Sequence, residues 1–164
     1  MFICRFALEE VISHEESRLA TMARDLEPLQ WATIQNNLGA ALHTLGERES
    51  GTARLDEAVA AYHAALWERA RDRVPLQWAE TQMNLCNALS ALGEWEIGES
   101  GIARLWEAVA TLDAALSVFV ADGAMYNVNL TRGNRDRAAA LLELAAARND
   151  DPASAIIASP CRSL

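Results

Sequence analysis

The chain contains no lysine: all fourteen basic residues are arginine. Any recognition of a carboxylate must therefore use the planar guanidinium fork, which suits bidentate contacts. Acidic side chains outnumber these arginines and leave a net charge of −9. That balance supplies no concentrated basic face for a nucleic-acid backbone. Cysteine is scarce too. Cys4, Cys86 and Cys161 are scattered, odd in number and without metal-ligand spacing, a pattern of reduced thiols in a cytoplasmic protein rather than of a disulfide framework. Hydrophobic residues make up 51% of the chain, yet no apolar run reaches the roughly 18 residues of a membrane span. The opening MFICRFALEE turns acidic too soon for a secretory signal. A chain of 164 residues is expected to form one domain with a modest core.

Against these absences stands a repeat. PLQWATIQNNLGAALHTLGE (28–47) returns as PLQWAETQMNLCNALSALGE (75–94), 47 residues later. GTARLDEAVAAYHAAL (51–66) returns as GIARLWEAVATLDAAL (101–116), 50 residues later. The register slips by three, so an insertion is expected in the turn around 97–99. Repetition at this period marks a solenoid, a stack of units that bury their faces only against neighbours.

Read with a 3.6 period, each copy resolves into two helices. Ile34, Leu38, Ala41, Leu42 and Leu45 share one face of the first, as do Leu85, Ala88, Leu89 and Leu92 in the second copy. Leu55, Ala58, Val59, Tyr62, Ala65 and Leu66 mark the following helix, matched from Leu105 to Leu116. Pro28 and Pro75 fall where a helix tolerates proline, in its first turn. Gly46 and Gly93 are expected as left-handed C-terminal stops. Worn half-copies flank the pair. The expected organisation is a helical array over 1–148, with half repeat 6–25, repeats 28–68 and 75–119, and half repeat 124–148, then a flexible tail, 149–164. Gly133 weakens the opening turns of the last helix, since glycine costs about 1 kcal/mol against alanine there.

Asn-Leu-Gly-x-Ala-Leu (37–42), a glycine, and then Glu-Ala-Val-x-x-Tyr-x-x-Ala-Leu (57–66) resembles the tetratricopeptide repeat. Small residues recur where the two helices of a unit approach: Gly39, Ala58 and Ala65, then Cys86, Ala108 and Ala115. The likeness covers roughly 28–119 well and the flanks weakly. It is a long-repeat variant, because the family unit has about 34 residues. Gln35 and Gln82 also stand where the family places a large aromatic, with Trp31 and Trp78 one turn earlier.

The resemblance implies an all-α, right-handed solenoid of antiparallel helix pairs whose first helices line a concave groove. That groove would present Thr33, Asn36, Asn37, Ala40 and His43 from one unit, and Glu80, Met83, Asn84, Asn87 and Ser90 from the next. Leu130, Asn134 and Arg137 would follow from the last. Asn37, Asn84 and Asn134 take the position whose amide clamps an extended peptide backbone in peptide-binding members, an amide being donor and acceptor at once. The alternative is that each bonds a neighbouring helix or solvent. The expected partner-binding residues are Asn37, Asn84, Asn87, Asn134 and Arg137. Chaperone-binding relatives hold a terminal carboxylate with Lys and Asn together, and this chain has no Lys. Arg132, Arg135 and Arg137 fan through about 200° of a helix, so Arg137 is the groove candidate and the other two are expected to be solvated or paired with acids.

Chemistry fares poorly. The 46–52 turn has the glycines of a phosphate loop but lacks its Lys, follows a helix and carries two Glu. Glu10 and His14 lie one turn apart on an acidic surface where such pairs arise by chance. No nucleophile has a base at a useful spacing, and Cys86 reads as buried and inert. Trp31 and Trp78 are expected to pack at helix starts, whereas Trp95 and Trp106 break the repeat toward exposed contact surface. The expectation is a non-enzymatic scaffold, without cofactor or metal, that binds a protein or peptide and neither nucleic acid nor membrane. The other reading is a self-assembling homodimer joined through apolar ends (Phe2, Ile3 and Phe6; Leu141, Leu142 and Leu144), or a fragment of a longer array.

Overall fold

The computed structural model describes residues 2–96 and 98–150, with side chains from Arg5 to Asn149, and among them the chain is all-helical. The helices are α1 (Phe2–Thr21), α2 (Pro28–Gly46), α3 (Ala53–Glu68), α4 (Pro75–Trp95), α5 (Glu99–Asp122) and α6 (Met125–Asp150). None is long and apolar enough to cross a membrane. Each packs on the next, and α2 also touches α4, as α4 touches α6. The periodic apolar residues form the core. One cluster runs from Ile12 through Leu42, Leu45, Tyr62 and Leu89 to Ala138. A smaller one joins Ala79, Phe119 and Val128 where α4, α5 and α6 meet.

Pro28 and Pro75 open α2 and α4 as expected. Gly46 and Gly93 depart from expectation. Positive φ is confined, among the described residues, to Gly51, Gly98 and Gly123, so neither glycine is a left-handed stop. Their role is close packing: a β-carbon on Gly46 would meet Leu55 Cδ2 at 2.8 Å, and one on Gly93 would meet Leu105 Cγ at 2.5 Å. The left-handed closure comes instead at Gly123 (φ 74°) after α5. There Ala124 N–H donates to Phe119 C=O (3.0 Å), satisfying a carbonyl the helix end leaves open.

The three-residue insertion lengthens helices rather than the turn. α2 and α3 are separated by residues 47–52, α4 and α5 by residues 96–98 only. Ile97 lies outside the described residues. Gly133 does not interrupt α6, which runs continuously through it; a side chain there would meet only open space. α6 runs two residues past the expected break at Arg148. The remainder of the expected tail, 151–164, lies outside the described residues, as do the side chains of Phe2 and Ile3.

The terminal helices carry charge at positions that pack helices inside the chain. Where α2 has Gly39 and α4 has Cys86, α6 has exposed Asp136; where they have Gly46 and Gly93, it has exposed Glu143. In α1, buried Glu15 and exposed Arg18 replace Tyr62 and Ala65, and form an ion pair at 2.9 Å. Phe6 and Leu144 are exposed.

Candidate functional site: the face shared by α2, α4 and α6

Residues spaced three and four apart share a helix face. Thr33, Asn37, Ala40, Thr44 and Glu47 make such a stripe on α2, and Glu80, Asn84, Asn87, Ala91 and Glu94 make it on α4. Asn127, Leu130, Asn134, Arg137 and Leu141 continue it on α6. Every one of these is exposed or half-buried. Asparagine runs across the middle.

These amides are joined between helices. Asn84 Nδ2 donates to Asn36 Oδ1 at 3.2 Å, tying α4 to α2. Asn134 Nδ2 donates to Asn87 Oδ1 at 3.4 Å, tying α6 to α4. Thr131 Oγ1 contacts Met83 Sδ at 3.4 Å in the same seam. Of the expected site residues, Asn84, Asn87 and Asn134 thus belong to the amide row. Asn37 is exposed beside it, and its side chain forms no hydrogen bond to a described residue. Arg137 is exposed and lies 3.2 Å from Glu94 Oε1 on α4. Arg135 turns away to Asp113 on α5, at 3.1 Å.

Arg69, which follows α3, is buried beneath this layer at 5% exposure. It donates to Thr81 Oγ1 on α4 (2.7 Å) and Thr33 Oγ1 on α2 (3.1 Å). Both hydroxyls donate in turn to carbonyls of their own helices, Thr33 to Leu29 and Thr81 to Gln77. Their lone pairs are left for the guanidinium. Among the described residues no carboxylate lies within ion-pair distance of Arg69. Burial lowers its pKa, opposed by Glu80. Sequence reading missed Arg69 because its counterpart one unit back is Met22; nothing in the repeat flags it.

A second arginine device was legible and overlooked. Ala23-Arg24-Asp25 precedes PLQWA just as Ala70-Arg71-Asp72 does. Arg24 lies over the Trp31 ring, 4.5 Å from its centroid, and Arg71 over Trp78 at 5.3 Å. Arg24 Nε reaches Glu68 Oε1 (2.7 Å) and Arg71 reaches Ser117 Oγ (2.7 Å). Each cation therefore joins a helix start to the end of a later helix, with cation–π attraction adding to the contact. Trp95 and Trp106 are 52% and 62% exposed, and Trp67 is 81% exposed.

His43 sits at the edge of the face, its Nε2 buried without a hydrogen-bond partner. Desolvation lowers its pKa and outweighs the pull of Glu47, 3.7 Å away. Burial pushes the Cys86 thiol up to about 11, with Ser90 opposing, so it is a poor nucleophile at neutral pH. Among the described residues no group of three His, Cys, Asp or Glu is placed to hold a metal. An open polar hollow of 370 Å³ beside the α2–α3 turn is lined by Arg5, Arg48, Glu49 and Ser50, where Arg5 and Glu49 pair at 3.0 Å. The middle of the face is a row of amides. Comparison with family models, with curated proteins and with solved structures returned no match.

Proposed function

We propose that the chain is a protein-interaction scaffold, a tetratricopeptide-like solenoid of antiparallel helix pairs. Its α2–α4–α6 face is the concave groove and takes an extended segment of a partner protein. The observation that carries this reading is the amide row. Asn36, Asn84, Asn87 and Asn134 each spend one donor or acceptor across the helix seams. A primary amide has two N–H donors and two acceptor lone pairs, so each keeps capacity for a peptide backbone. The contacts of α2 with α4 and of α4 with α6 support one continuous groove layer. The exposed charges Asp136 and Glu143 on α6 weigh against end-to-end stacking of copies at that end.

Selection of displayed random dodecapeptides on the immobilised chain tests the reading. Selected peptides are expected to weaken by about 0.5–3 kcal/mol on Asn84→Ala, the range for losing hydrogen bonds to neutral or charged groups. Peptides that bind the variant undiminished would move the site off this face.

A further inference from the structure

In the repeat α1 is the counterpart of α3, yet it buries far less. α3 seals Leu55, Ala58, Val59, Ala61, Tyr62 and Ala65 into the core. From Arg5 onward, Ile12 is the one buried apolar side chain of α1, and Leu8 and Leu19 are half-buried against the same core. At the positions of Ala58 and Tyr62 it has Val11, 46% exposed, and Glu15. Among the described residues α1 packs on α2 and on no other helix. Its ties to α3 and to the turn before it are charges. Arg5 reaches Glu49 in the α2–α3 turn at 3.0 Å. Arg24, just past the end of α1, reaches Glu68 at the end of α3 at 2.7 Å. Between them, Glu16 acts on Arg54 in the first turn of α3.

From this contrast we propose that α1 is a strap latched by charge at both ends. It detaches from α2 as a unit while α2 to α5 stay folded, and ionic strength sets how often it does so. A solenoid is held by contacts between neighbours only, so an end helix with little buried area opens before the helices behind it. Helices draw most of their stability from packing rather than propensity, so the released strap melts. Salt screens the exposed ion pairs of the latch, whereas the apolar contacts that join α2 to α5 carry no charge to screen. Detachment uncovers the part of α2 that α1 covers. The inference holds whatever the α2–α4–α6 face binds.

Hydrogen exchange of the full chain, followed by mass spectrometry, tests the strap. Amides of residues 8–21 are expected to be protected at least about tenfold less than those of α3 and α4. Their protection should fall further as sodium chloride rises from about 0.05 to 1 M. At low salt, Glu49→Gln and Glu68→Gln should each lower it about two- to fivefold, the range for an exposed charge pair. Ile12→Ser should lower it by about tenfold or more, with α4 and α5 staying within about twofold of the parent. Protection of α1 equal to that of α3 and α4 would overturn the proposal. So would an Ile12→Ser chain that loses protection by one common factor in every helix, because α1 would then belong to a single cooperative unit. Weak protection of α1 that ignores both salt and the two Glu variants would overturn the latch, and the proposal with it.

Discussion

The Tyr62 ring occupies the space over Gly39 that a β-carbon would need: one built on Gly39 would lie 2.7 Å from Tyr62 Cε1. In the second copy the same two positions hold Cys86 and Leu112. A side chain at the small position coincides with the loss of the ring at the large one.

That exchange makes a prediction with a sign. Gly39→Ala should destabilise by about 1–3 kcal/mol through overpacking, against a helix-propensity gain of about 1 kcal/mol. Combined with Tyr62→Leu, the pair should cost less than the sum of the single changes. A double-mutant cycle in urea measures this. Additivity within about 0.5 kcal/mol would show that the two sites are independent.

Arg69 and Arg104 form a contrast of buried with half-buried arginine. Arg104 reaches Asp56 at 3.2 Å and Glu96 at 3.7 Å near the surface, so Arg104→Ala should cost less than about 1 kcal/mol. Arg69→Ala removes hydrogen bonds that span two helices. It should cost about 1–3 kcal/mol, because the partners lie in a buried seam. Chemical denaturation of both variants checks the order, and a larger loss at Arg104 would contradict the burial argument.

The helices were legible because their signals are local and doubled. Period, proline and the returning PLQWA located α2 and α4 closely. What stayed hidden depends on the approach of several helices. Glycine before a polar turn looks the same whether it is a left-handed stop or a packing gap, and only the positions of Leu55 and Leu105 decide it for Gly46 and Gly93. Of the site, the asparagines were readable as a row. The register of their pairing was not: Asn84 meets Asn36 rather than Asn37. A shift of one residue along α2 cannot be seen in either helix alone. The clasp of Arg24 on Trp31 was written twice in the chain, and needed only a repeat boundary drawn a few residues earlier.

His43 predicts a pH dependence. Burial lowers its folded-state pKa below the unfolded value of about 6.5, so the unfolded state binds the proton first. The stability that the neutral ring contributes is complete above that unfolded value. It is lost as pH falls through it toward the folded pKa. Between neutral pH and about pH 5, the parent should therefore lose more thermal stability than His43→Gln, which cannot titrate. Parallel melting curves for the two proteins would refute this.

Asn37 separates function from stability better than Asn84 does. Asn84 holds α4 to α2 through Asn36, so Asn84→Ala should lower stability by about 0.5–1.5 kcal/mol whether or not any peptide binds. Asn37 is exposed and its side chain holds no helix. Asn37→Ala should leave the stability within about 0.5 kcal/mol of the parent, as surface changes do. If the face binds a peptide backbone, Asn37→Ala should nonetheless weaken a selected peptide by about 0.5–1.5 kcal/mol, the loss of a neutral hydrogen bond. Calorimetric titration of one peptide against both variants, beside their melting curves, distinguishes the cases. A drop in affinity at Asn84 alone, tracking its drop in stability, would mean that the amides hold the helices together and nothing more.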